Sequence, residues 1–372
     1  MDPQRQFCHN TACPARGQIG QGNIRVLSHK DRRYQCKVCK TTFTETKGTV
    51  FYRLHSAANT VTIVLTLLCH GCPVQAIVAA FGVDERTVAA WQARAGHHCQ
   101  TVHCHLVQHG QVDLQHVQAD ELWVKMVGRR VWMAMAIAVP SRLWLGGVIS
   151  VQRSLTLITS LVQMVRSCAR SLDILVCVDG LASYVTAFLT VFRTRLVTGK
   201  RGRPRLLLAD GLLMGQVIKR RLQRHVVSVE RRIVRGTGAA ITAVLAATHS
   251  GAQINTAYIE RLNATFRSCL AVLVRRGRAI AHSEAMLTAG MYLVGCAYNF
   301  CWYHESLRLA APEGAHPTWL GRTPTMAAGL TDHCWTMYEL LSYKVPLPAW
   351  VAPKRRGRPP KQIQQSLTAV AA

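Results

Sequence analysis

The period of the apolar residues changes at Asp113, and that change limits the fold more than any other feature of the chain. Between 59 and 105 apolar positions recur at helical spacing. After Asp113, "LQHVQADELWVKMV", "RRVWMAMAIAV" and "RLWLGGVISV" read as three strands, joined by short turns at Gly128-Arg129 and Pro140-Ser141. "SLTLITSLVQMVRSCARS" predicts a helix capped by Ser154, "LDILVCVDG" a fully apolar fourth strand ending in an acid, and "LASYVTAFLTVFRTRL" a further helix. Three meandering strands, a helix, a strand and a helix bound this part to a mixed α/β layer.

Two smaller patterns precede it. Cys8-x4-Cys13 and Cys36-x2-Cys39 are separated by 22 residues, and each close pair offers two thiolates to one tetrahedral ion. Four unrelated cysteines are the plain alternative, but the paired spacing favours a zinc ribbon over residues 1–55, with Tyr34 and Phe43 in a small core. Residues 56–108 then read as three helices: "NTVTIVLTLLCHG", "PVQAIVAAFG" and "DERTVAAWQARAGHH". A short helix, an "FGVD" turn and a helix carrying Arg86, Thr87, Gln92 and Arg94 is the pattern of a helix-turn-helix, against the simpler reading of a small helical bundle. The run His97, His98, Cys99, His103, Cys104, His105 lacks paired metal-ligand spacing and reads as a polar linker end.

Composition decides what such a chain meets. Its 372 residues carry 45 Lys and Arg against 18 Asp and Glu, a net charge of +27. That excess suits a polyanion, either nucleic acid or an anionic membrane. The longest apolar region, "VWMAMAIAVPSRLWLGGVISV", is interrupted by Pro140 and Arg142, which argues against a membrane span, and "MDPQRQF" offers no apolar signal segment. A cytoplasmic location follows as the expectation, with the fourteen cysteines divided between metal binding and burial.

With so few acids, their positions are informative. Asp120 lies within the strand "VQADELW", Asp179 ends "ILVCVDG", and Glu260 stands on the helix "INTAYIERLNATFRSCLAVL". Ile259, Leu262, Phe266, Leu270 and Leu273 form the apolar stripe of that helix, and Glu260 sits one position off it beside Asn263 and Arg267. Each acid singly suits a strand-end cap or a salt bridge. Three converging carboxylates would instead hold two Mg²⁺ ions (Mn²⁺ in substitution) about 4 Å apart, a spacing that clamps the attacking and leaving oxygens of a phosphodiester. Glu121 reads as a neighbour facing the other side of the strand, and Asp210 and Glu230 as structural.

"QADELW", "VDGLASY" and "INTAYIERLNATFRS" followed by "RRGRAI" resemble the three acid motifs of bacterial insertion-sequence DDE transposases, nearest the insertion-sequence-one family. The resemblance covers most of residues 1–310. It implies a ribonuclease-H-like fold, catalytic Asp120, Asp179 and Glu260, metal-dependent strand cleavage and strand transfer, and a nucleoid-associated protein working as a dimer or larger assembly on paired element ends. The span from Asp179 to Glu260 exceeds what one helix and a turn need, so residues from about 198 to 250 are expected to be an inserted group of strands.

Basic motifs complete the pattern. "KRGRPR", with Arg201 and Arg203, and "KRRGRPPK", with Arg356 and Arg358, resemble AT-hooks that enter the minor groove. Arg261, Arg267, Arg275, Arg276 and Arg278 would meet phosphates around Glu260.

The expected whole is multidomain: a zinc ribbon (1–55, structural Zn²⁺), a helix-turn-helix domain (56–108), and a ribonuclease-H-like α/β catalytic domain with a β-rich insertion (109–310). A C-terminal extension (311–345) and a basic tail (346–372) follow. The expected partners are element terminal repeats and target DNA. Two rival expectations stand beside the transposase: an inactive DNA-binding regulator, and a ribonuclease-H-like nuclease that cuts without joining.

Overall fold

A computed structural model describes residues 1–196, 203–223, 225–274, 279–312 and 316–352. They divide into two compact units, Met1–Lys47 with residues 346–352, and Gly48–Val345.

In the first unit, β1 (Ile24–Ser28), β2 (Arg33–Cys36) and β3 (Thr42–Thr44) form an antiparallel sheet. Left-handed residues at its turns, Arg32 (φ 48°) and Lys40 (φ 60°), let such short strands double back. Ala15, Ile24, Tyr34 and Phe43 make a small core around the cysteines, with the Tyr34 and Phe43 rings stacked at 5.9 Å. An apolar core this small needs a second source of stability.

The second unit begins with α1 (Ala58–Cys69), α2 (Val74–Phe81) and α3 (Glu85–His103). Gly82, at φ 62°, ends α2 in the left-handed turn that glycine adopts without strain, and the Asp84 carboxylate accepts the Arg86 N–H at 2.8 Å to start α3. The sheet elements follow: β4 (His116–Met126), β5 (Arg129–Ala138), β6 (Leu143–Ser150), α4 (Leu155–Cys168), β7 (Leu175–Asp179) and α5 (Ala182–Val191). Next come β8 (Arg193–Arg195), β9 (Leu206–Leu208), β10 (Leu213–Leu222), β11 (His225–Arg235), α6 (Gly238–Ala247), α7 (Ala257–Cys269) and α8 (Glu284–Cys296). Two short helices, α9 (Pro324–Ala327) and α10 (Met337–Ser342), close the unit.

The main sheet has six strands in the order β11-β10-β7-β4-β5-β6. The meander β4-β5-β6 is antiparallel, β7 runs parallel to β4 on its other side, β10 runs parallel to β7, and β11 returns antiparallel along the edge. The expected mixed α/β layer is therefore present. The stretch read as an insertion supplies β9, β10, β11 and α6, and β10 is bonded along β7 as an integral strand of the sheet. The edge strand β11 leaves Val226, Val227, Val229 and Ile233 exposed.

Helices α1 to α3 share one apolar core with the sheet: Val64, Leu65, Trp91 and Ala95 belong to the same buried cluster as Val117, Met133 and Leu161. Gly96 of α3 allows a close approach to α8, because a Cβ there would come within 2.4 Å of the Ala289 backbone. The histidine-rich run continues α3 and is not a linker. Cys99 and His103 are buried in it, and the His103 Nε2–H donates to the Leu145 carbonyl at 3.2 Å. Burial holds the His103 imidazole down to about 4, so it stays neutral in the core. No helix among the described residues is long and apolar enough to cross a membrane.

Candidate active site and thiol cluster

Strand pairing creates the acidic site. Ala119 of β4 lies opposite Val178 of β7, so the next residue on each strand, Asp120 and Asp179, meet side by side where β7 ends. Both are partly exposed. The Asp120 Oδ2 accepts a hydrogen bond from Asn263 Nδ2 of α7 at 2.8 Å. Asp179 Oδ1 accepts the Leu181 N–H at 3.0 Å, and Gln216 Nε2 of β10 donates to the Asp179 carbonyl at 3.0 Å.

Glu121 departs from the sequence expectation. It does alternate to the other face, where the Tyr184 hydroxyl of α5 donates to its Oε2 at 2.8 Å and Arg153 Nε donates to its Oε1 at 2.6 Å. Yet β7 stops at Asp179, and the long Glu121 side chain brings an oxygen back to the strand end. Asp120, Glu121 and Asp179 thus present carboxylate oxygens within 4.8 Å of one another. Alternation locates a Cα on one face; it does not limit where a three-bond side chain finishes. Arg153 also lies 3.6 Å from Asp179 and over the Trp132 ring at 5.1 Å, so one guanidinium serves two acids.

This crowding has an electrostatic consequence. Burial first, then the charges of Glu121 and Asp179 and, more weakly, Glu260, push the Asp120 carboxyl up to about 7. A bound cation would reverse that shift, and the all-oxygen donor set suits a hard cation such as Mg²⁺.

Glu260, expected to complete the set, lies outside the group of three. It accepts hydrogen bonds from Lys219 Nζ of β10 and from Thr256 Oγ1 at 2.8 Å, and its side chain is 49% exposed. The α7 helix that carries it is nonetheless held to β4. Gln118 Oε1 accepts the N–H groups of Tyr258 and Ile259 at 3.0 and 3.1 Å, and its Nε2 donates to the Asn255 carbonyl at 2.9 Å. Gln118 therefore satisfies donors at the first turn of α7 from the same face of β4 that carries Asp120. Sequence reasoning missed Gln118, whose only signal is its two-residue spacing from Asp120. All five predicted stripe residues of α7 and the chain after it are buried.

The other acids stay apart. Asp210 is exposed before β10, and Glu230 of β11 pairs with Arg232 at 3.4 Å and Arg220 at 4.0 Å.

In the first unit, Cys8, Cys13, Cys36 and Cys39 bring their sulfurs within 4.8 Å of one another, with Cys8–Cys39 at 3.5 Å and Cys13–Cys36 at 3.9 Å. A tetrahedral zinc with Zn–S bonds of about 2.3 Å needs sulfurs about 3.8 Å apart, so the cluster can form a zinc site. Burial pushes the Cys8 and Cys13 thiols up. At Cys39 burial acts the same way but is outweighed by hydrogen bonds from Thr41, Asn10 and Cys8, which bring the thiol down to about 6.

Of the residues expected at DNA, Arg86, Arg203 and Arg261 are exposed, and Thr87, Arg94 and Arg267 are partly exposed. The Gln92 amide turns towards α8, where a Cβ on Gly290 would lie 3.3 Å from it. Arg201, Arg275, Arg276, Arg278, Arg356 and Arg358 lie outside the described residues. No protein-family model matches the chain, and no curated protein matches it significantly.

Proposed function

We propose that the chain is a DDE transposase with a ribonuclease-H-like catalytic unit, which binds the ends of a mobile element and cuts and joins DNA strands. The observation that carries this reading is the meeting of Asp120 and Asp179 at the ends of adjacent parallel strands, with Asp120 pushed up to about 7 by burial and neighbouring charge. A carboxyl perturbed by burial and by neighbouring acids, at a partly exposed strand end, is a candidate for holding a cation or for catalysis. Support comes from the strand order, in which a central first strand is flanked by its own meander and by two parallel strands. The third acid, on a later helix docked against that first strand, fits the same scheme.

In this reading Asp120 and Asp179, with Glu260, would hold two Mg²⁺ ions that neutralise the phosphodiester and activate a water and then a 3′-hydroxyl for in-line attack. Asp120 would hold a cation as the deprotonated carboxylate. Asn263 keeps the Asp120 carboxylate oriented towards α7, and Gln118 keeps α7 beside β4. Glu260 must leave Lys219, whose ammonium is then free to face a phosphate. Arg86, Arg261 and Arg267 would meet the backbone of the DNA. A zinc ion on the four thiols would hold the first unit folded, and the net charge of +27 draws the chain to DNA ends and target alike.

The pairing of Glu260 with Lys219, away from the other acids, is what favours the second reading, a DNA-binding regulator without catalysis. Purified protein incubated with Mg²⁺ and labelled DNA carrying the flanking element ends separates the two. Nicked and joined products from wild type, absent with Asp179→Asn, are expected. Cutting without joining would leave a nuclease, and tight binding with no cleavage in Mg²⁺ or Mn²⁺ would leave the regulator.

A further inference from the structure

A second concave site lies outside the acidic cluster. A cavity of about 680 Å³ opens between α7, the β5–β6 turn and the chain that follows α8. Its volume falls in the range of small-ligand sites, and none of Asp120, Glu121 and Asp179 lines it. Arg142, Tyr258, Arg261, Tyr298, His304 and His249 do.

The cavity is cationic without a matching acid. Among the described residues neither Arg142 nor Arg261 is in an ion pair. The one carboxylate of the lining, Glu305, is engaged by Arg308 at 2.7 Å. Arg142 donates to the Val139 carbonyl and stacks over the Tyr258 ring at 4.2 Å, which aims its guanidinium without neutralising it. Burial, with a smaller contribution from Arg261, weakens its hold on its proton.

Arg142 (φ 58°) and His249 (φ 48°) both take the left-handed conformation that non-glycine residues adopt at a cost, and both line this one cavity. In the same lining, the partly exposed His304 ring meets the buried Tyr298 ring edge to face at 4.5 Å. Burial, and then the Arg142 charge, hold the His304 imidazole down to about 4, so near neutral pH it offers an uncharged flat ring.

Two guanidiniums without an ion pair among the described residues suit a phosphate, which they can grip through several N–H bonds, and the uncharged His304 ring suits a flat base. We propose that this cavity binds a nucleotide, with its phosphate on Arg142 and Arg261 and its base against His304. A free nucleotide and the terminal nucleotide of a DNA strand share that chemistry.

The test uses the full chain without added divalent metal, so that no outcome depends on cleavage and failure here leaves the transposase reading standing. Fluorescence anisotropy would compare a short single strand bearing a 5′-phosphate with its 5′-hydroxyl twin, with deoxyadenosine monophosphate as competitor. At least tenfold tighter binding of the phosphorylated strand is expected. Arg142→Gln and Arg261→Gln should each erase most of that preference, while Arg142→Lys, which keeps the charge and the turn, retains part of it. Arg261 is exposed on α7, so its substitution tests the idea in a folded chain. Displacement by the mononucleotide at a similar concentration identifies a free-nucleotide site; resistance to it identifies a strand-end site. Equal affinity for the two strands without displacement by the mononucleotide, or a phosphate preference that survives in R142Q/R261Q, would overturn the proposal.

Discussion

Asp120 is where the cost of the acidic site is concentrated. Folded and metal-free, it releases its proton near pH 7, whereas an unfolded aspartate does so near 3.9. Between those values the folded chain holds the additional proton, so metal-free stability falls as pH rises from about 4 to 7 and stays low above. Asp120→Asn removes the charge and keeps a carbonyl for Asn263. It should therefore raise metal-free stability at pH 8 by roughly 1–2 kcal/mol, confer no gain at pH 4, and abolish stabilisation by Mg²⁺. Thermal melts at the two pH values, with and without Mg²⁺, measure all three. The two aspartates were legible in the chain because each stands among residues that otherwise demand burial, and a lone acid in such a setting has few explanations. Glu121 was not, since alternation describes the backbone and says nothing of a strand that ends one position away. Asn263 was visible only as sharing a side with Glu260; that it holds Asp120 needed the packing of α7 on β4.

At the scale of elements, the joint between α7 and β4 organises the site, and Gln118 is its fastening. Gln118→Ala leaves the Tyr258 and Ile259 N–H groups without their acceptor and should lower stability by about 1–3 kcal/mol. Urea denaturation reads that loss, and Mn²⁺ titration should show weaker binding at the acidic cluster. Asp210→Asn, exposed and remote from the site, should change neither. Helix and strand identities were readable from caps and periods: Ser154, Asp84 and Gly82 all punctuate elements where local chemistry predicts. The continuation of α3 through its histidines was not, because His103 becomes apolar in effect only once burial has neutralised it. Nor was the place of β10, since its partner β7 is distant in sequence and parallel pairing leaves no local turn signal.

For the molecule as a whole, the first unit and the second depend on different sources of stability. The core around Tyr34 and Phe43 is small, and removing a structural metal from the four thiols should cost Met1–Lys47 its fold. Hydrogen exchange after zinc chelation, or in Cys36→Ser, should show lost protection in Met1–Lys47 while Gly48–Val345 keeps its own; uniform protection throughout would count against a structural metal. The cysteine spacing announced that cluster. The core shared by α1 to α3 with the sheet was hidden, because helical periodicity shows that a face is buried without showing against what. The tie between Gln118 and α7 carries a consequence for timing. Gln118 seats the helix on β4 beside Asp120, while Glu260 of the same helix is held by Lys219, and a half-exposed side chain breaks such a pair within nanoseconds. In the proposed transposase, entry of Glu260 into the metal site would wait on the loss of its ion pair with Lys219.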